Sequence, residues 1–61
     1  MSPEKRRLQL IQSAEELFAR YGVDGTSVSD IVGHAGVAQG TFYWYFKSKD
    51  DIVHAVVDSL V

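Results

Sequence analysis

Apolar residues recur at spacings of three and four from the start of the chain: Leu10, Ala14, Leu17, Phe18 and Tyr21 fall on one helical stripe, and Leu8 and Ile11 widen it. The pattern predicts a first helix over residues 3–21. Ser2 can cap it, Pro3 suits the first helical position, Glu4 favours the positive end of the dipole, and Gly22 can adopt the left-handed conformation that stops it. Residues 23–25 then read as a short turn. Ser27-Val-Ser-Asp30 has the form of a capping box with Asp in place of Glu or Gln, and Thr26 is the competing cap. A second helix follows to about Ala35, burying Val28, Ile31, Val32 and Ala35.

At Gly36-Val37 the pattern breaks, and a short third helix with two unlike faces begins. Spacing of four sets Phe42 over Phe46 on one side, while Gln39 with Tyr43 and Gly40 with Trp44 come round to the other. A helix, a tight turn with Ala35-Gly36 small enough for a steep crossing, and a second helix make a helix-turn-helix. Two local rules are broken within it. Ala38 is a poor cap, and Gly40 costs roughly 1 kcal/mol in a helix interior relative to alanine, although it lets a partner's backbone approach closely. Tyr43, Trp44 and Tyr45 cannot all be buried in so small a domain, so this face reads as a contact surface. The plainer reading packs them against the first and last helices.

Ser48-Lys-Asp-Asp51 opens a fourth helix with two acids in its first turn, continuing through Ile52, Val53, Ala55, Val56, Val57 and Leu60. Its stripe of Val53, Val57 and Leu60 lies beside that of Ile52 and Val56, more apolar circumference than a three-helix core covers, which points to a further domain beyond Val61. The expected fold is all-α: a homeodomain-like three-helix bundle around Leu10, Ala14, Leu17, Phe18, Ile31, Phe42, Phe46 and Ile52, with the start of a fourth helix leaving the core.

Composition narrows the function. Sixty-one residues allow one domain, and without cysteine there is neither disulfide nor cysteine-zinc site. His34 and His54 alone make a poor metal site, and neither has an evident carboxylate to orient it, so neither metal binding nor catalysis is expected. No cofactor is implied. No run approaches a membrane span and no signal peptide is visible, so the chain reads as cytoplasmic with no membrane partner. A net charge of −2 argues against nucleic acid, yet residues 31–46 hold no Asp, Glu, Lys or Arg, while Lys47 and Lys49 follow directly. A neutral reading face with cations at its rim suits a protein that takes bases with Gln, Thr and Tyr and phosphates with lysine. Lys5, Arg6 and Arg7 read as a solvated face or as an arm reaching DNA. The rival reading is a helical protein-interaction module using the aromatic face and the apolar stripe of the fourth helix, which the acidic balance favours.

Leu17-Phe18, the Gly22 turn, Thr26-Ser-Val-Ser-Asp-Ile31, Gly36-Val37, Gly40-Thr-Phe-Tyr43, Tyr45-Phe46 and Lys47-Ser-Lys49 together resemble the amino-terminal DNA-binding domain of TetR-family transcriptional regulators. The likeness covers nearly all of residues 1–61, with the helix-turn-helix at about 27–46. It implies a bacterial, cytoplasmic, homodimeric repressor that binds double-stranded operator DNA and is released by a small-molecule effector held in a carboxy-terminal domain absent from this chain. On the matching positions it implies that Gln39, Thr41 and Tyr43 meet bases or nearby phosphates, and Gly40 and Trp44, on the face read above as a contact surface, are expected at the DNA with them. Tyr45, Lys47 and Lys49 would hold the backbone, and Thr26, Ser27 and Ser29 would meet phosphate at the start of the second helix. Ser29, where many members carry Arg, and Ala38, often Ser or Thr, depart from the family pattern and remove polar reach.

Overall fold

The computed structural model describes residues 2–60, and among these there are four helices and no strand: α1 (Pro3–Tyr21), α2 (Val28–Ala35), α3 (Gln39–Tyr45) and α4 (Lys49–Ser59). The start of α1 forms as its residues dictate. The Ser2 hydroxyl accepts from the Lys5 amide at 3.3 Å, and Pro3 opens the helix. At the other end the Gly22 amide donates to the Phe18 carbonyl at 2.9 Å. Gly22 has φ 80° and ψ 161°, so it stops the helix in an extended positive-φ conformation open essentially to glycine, and not in the expected left-handed helical one.

The core is a single cluster containing Leu10, Ile11, Ala14, Ile31, Val32, Ala35, Phe42, Phe46, Ile52 and Val56, with Leu17 and Phe18 partly buried against it. Tyr21 and Leu8, both expected on the buried stripe, are exposed. The reason is length. Nineteen residues rise about 28 Å, more than twice the length of eight-residue α2, so α1 buries its middle turns and its ends overhang. The fourth helix corrects a second expectation: it does not leave the core but packs on α1, burying Ile52 and Val56. Val57 and Leu60 do remain exposed, and Val53 is half-buried.

The connections are tied by side chains reaching backbone. Thr26 is only 2% exposed, its hydroxyl donates to the carbonyls of Gly22 at 2.8 Å and Leu17 at 3.3 Å, and its amide donates to Val23 at 3.2 Å. It is therefore the knot between α1 and α2, and the cap of α2 falls to Ser27. Lys49 Nζ donates to the Val23 carbonyl at 2.8 Å, which fastens the start of α4 to the same turn. Ser48, which precedes α4, makes no capping bond with its side chain, and the Asp51 carboxylate accepts from the Lys47 amide at 2.8 Å.

Two glycines give opposite expectations. A Cβ on Gly25 would drive into the Tyr21 carbonyl, whereas one on Gly33, at an open position inside α2, meets nothing. Gly25→Ala is expected to destabilise by about 1–3 kcal/mol as an overpacking change. Gly33→Ala should stabilise by about 1 kcal/mol through helix propensity. Thermal unfolding followed by circular dichroism checks both, and the same sign for the two variants would contradict the arrangement of the α1–α2 turn.

Candidate nucleic-acid interface

Gly36 ends α2 in the left-handed conformation, φ 74° and ψ 31°, and both its amide and that of Val37 donate to the Val32 carbonyl, at 2.9 and 3.0 Å. The second bond is the six-to-one closure of a Schellman turn, which reverses the chain within two residues. It delivers Ala38 to the start of α3 with no side-chain cap; the Thr41 amide donates to the Ala38 carbonyl at 3.0 Å, so the helix begins on backbone alone.

Seven residues cannot sustain a helix unaided, so packing sets the rotation of α3. Phe42 is wholly buried, with its ring 5.6 Å from that of Phe46. That anchor turns Gln39, Gly40, Tyr43 and Trp44 to solvent, with Trp44 80% exposed. The alternative of a packed Trp44 is excluded by that figure. Tyr45 lies half-buried against the core, and Thr41 is also half-buried. Gly40, Thr41, Trp44 and Tyr45 line one open groove of about 570 Å³ with the Gly36–Ala38 turn and, from α1, Arg6. Arg7 is otherwise placed, its guanidinium 5.5 Å from the centre of the Phe46 ring.

At the start of α2 the capping box closes fully: the Asp30 amide donates to the Ser27 hydroxyl at 3.1 Å, and the Ser27 amide donates to the Asp30 carboxylate at 3.0 Å. This leaves the amides of Val28 and Ser29 without an intrahelical acceptor, as at any helix start, with the exposed Ser29 hydroxyl beside them. The Ser27 amide is already taken. Thr26 is a correction: with hydroxyl and amide both bonded inward, it has nothing to offer a phosphate. Lys49 is half-buried and bound to Val23, whereas Lys47 and Ser48 are exposed.

Arg6, read in the sequence with Lys5 and Arg7 as a solvated face or as an arm reaching DNA, lines the α3 groove. Two contacts of this site escaped the sequence reading. The Gln9 side-chain amide donates to the Ala35 carbonyl at 2.9 Å across the α1–α2 contact. His34 does have a carboxylate, with its Nε2 3.0 Å from Glu16 Oε2 on α1. No group of three or more potential metal ligands lies together among the described residues.

Residues 10–56 match the sequence model of the family described as "Bacterial regulatory proteins, tetR family". The chain belongs to the TetR family. Among similar proteins, the transcriptional regulator TtgR of Pseudomonas putida is 42% identical over 57 residues, covering 93% of this chain and 27% of TtgR. The transcriptional repressor KstR2 of Mycolicibacterium smegmatis is 42% identical over 55 residues, covering 90% of this chain and 27% of KstR2. A crystal structure of an HlyIIR mutant superimposes with a TM-score of 0.88 at 27% identity, covering 92% of this chain and 32% of that one. The chain thus spans about a quarter of the length of the TetR-family regulators it matches. These relatives are transcriptional regulators and not enzymes.

The capping box that opens the TetR-family α2 has a measurable acid signature. The Ser27 amide, and with it the Ser27 hydroxyl, holds the Asp30 carboxyl below its ordinary 3.8. A carboxyl depressed on folding adds stability above its unfolded value and loses it as pH falls through the folded one. Melting temperature should therefore fall more steeply between pH 4 and 2 for the parent than for Asp30→Asn, and parallel curves would mean that the box does not form.

Proposed function

We propose that this domain binds double-stranded operator DNA by laying α3 in the major groove. The observation that carries the reading is the exposure of an uncharged, hydrogen-bonding face, Gln39, Gly40, Tyr43 and Trp44, on a helix whose rotation is fixed by Phe42. Gln39 can address adenine through a bidentate pair, and the half-buried Thr41 and the ring of Trp44 suit a thymine methyl or a sugar edge. Tyr45 and Lys47 flank that face and hold the backbone, joined by the Ser29 hydroxyl and the first amides of α2. Lys49 has one ammonium proton engaged by Val23 and two left for a phosphate, so it both braces the fold and contributes charge.

The same reading takes the domain, with its helix-turn-helix at about 27–46, as the reader of a homodimeric, cytoplasmic regulator. The remaining length typical of its relatives would carry dimerisation and a small-molecule effector site, and repression relieved by the effector is the mode we favour. The exposed Val57 and Leu60 fit attachment of that second domain. They equally suit the rival protein-interaction module, and a titration with random duplex at two salt concentrations separates the two: DNA binding weakens as salt rises, and a protein-only module does not bind.

In the dimeric regulator, operator affinity should respond differently to the two kinds of contact. Gln39→Ala should narrow the gap between operator and random duplex by about 1–3 kcal/mol. Lys47→Ala should weaken both alike. Fluorescence anisotropy on both duplexes checks this, and an unchanged gap in Gln39→Ala would remove Gln39 from the reading face.

A further inference from the structure

The groove between α1 and α3 contains one charged residue, Arg6, facing Thr41, Trp44 and Tyr45 across the Gly36–Ala38 turn. No acidic residue lines it. Arg6 makes no ion pair among the described residues, and its neighbours one helical turn away, Ser2, Pro3, Gln9 and Leu10, carry no carboxylate. The other two cations of the run are differently disposed: Arg7 sits over the Phe46 ring, and Lys5 is fully on the exposed side.

The position of Arg6 is fixed by an independent contact. Gln9, one turn further along α1, donates its side-chain amide to the Ala35 carbonyl at 2.9 Å, at the very end of α2. That bond sets the rotation of α1 against the turn, so the residue three places earlier hangs over the start of α3. Arg6 is half-buried and lines the groove, which puts its planar guanidinium within reach of a group lying there. A guanidinium held without a partner in a neutral groove lined by two hydroxyl-bearing side chains is matched to a singly charged phosphodiester, which it can take through two parallel hydrogen bonds.

We infer that Arg6 binds a backbone phosphate of the duplex read by α3, so that one DNA strand passes through the groove between α1 and the Thr41 and Tyr45 side of the reading helix. The inference rests on the DNA-binding reading above and adds a contact from outside the helix-turn-helix. Because a phosphate carries no sequence, the contact belongs to the salt-dependent, non-specific part of the affinity.

The test is the slope of log affinity against log salt for the chain on a random-sequence duplex, measured by anisotropy. Arg6→Ala should bind more weakly and lower the slope by about 0.9, the value for one phosphate contact. Arg6→Lys keeps the charge and should keep the slope, while losing some affinity with the bidentate geometry. Arg20→Ala, which removes the same charge from the last turn of α1, should leave the slope unchanged, and circular dichroism confirms that each variant is folded. If the parent binds duplex and Arg6→Ala shows the parental slope, Arg6 touches no phosphate and only this inference falls. If Arg20→Ala lowers the slope as much as Arg6→Ala does, the effect is one of total charge and the groove contact is overturned. If the parent shows no binding even at low salt, where the non-specific term is strongest, the DNA-binding reading falls and takes this one with it.

Discussion

The arrangement depends above all on one ring. Phe42 is the sole fully buried residue of a seven-residue helix, and such a helix has too few internal hydrogen bonds to hold its own shape in water. Its burial in the core, beside α2 and Phe46, therefore does two jobs at once. It supplies the tertiary contact that makes α3 a helix, and it fixes the angle at which that helix faces outward. Every exposed position of α3 is defined relative to this anchor, so a rotation that moved Phe42 even partly out of the core would also turn Gln39 and Trp44 away from the face they share.

A domain of 61 residues cannot secure its loops with apolar burial alone, and it uses side chains bonded to backbone carbonyls instead. Thr26 ties the α1–α2 turn to the end of α1, Lys49 ties the start of α4 to Val23, and Gln9 ties α1 to the end of α2. Each bond satisfies a carbonyl near a helix end, where the regular ladder stops, and those of Gln9 and Lys49 join residues 26 positions apart. The helix-turn-helix is thereby braced on two sides. Its first helix is held at the amino end by the Thr26 knot and at the carboxy end by Gln9, leaving little freedom for α3 to tilt independently.

Much of this was legible in the sequence because it is periodic or local. The four helices, the Ser2 and Ser27 caps, the Gly36 turn and the pairing of Phe42 with Phe46 all follow from spacing and from conformational rules that operate within four residues. What was not legible depends on which side chain meets which carbonyl across the fold. Thr26 looks like a cap or a phosphate ligand in sequence, since a threonine before a helix usually is one, and only the closeness of Gly22 and Leu17 makes it a core residue. His34 appeared unpartnered because Glu16 is eighteen positions away, on another helix. Ser48 had the right residue type for a cap, but the Asp51 carboxylate took the Lys47 amide and the serine was left outside. In each case a long-range or competing acceptor decided among local options that the sequence presented as equal.

The remaining tension is between an acidic chain and an anionic partner, and distance resolves it. At physiological salt, exposed charges act over about 8 Å, so a phosphate responds to the few groups around it and not to the total of −2. The carboxylates of Glu15 and Glu16 line a different groove, with Gln9, Gln12 and His34. The α3 groove has Arg6 and no acid, and Lys47 stands free at the other end of the reading helix. A surface with few cations gains little non-specific affinity, which leaves a larger share of the binding to base contacts and shape. It also makes one domain a weak binder by itself. Pairing two such domains at a fixed spacing raises the effective concentration of the second once the first has bound, and most of the affinity then arises from geometry.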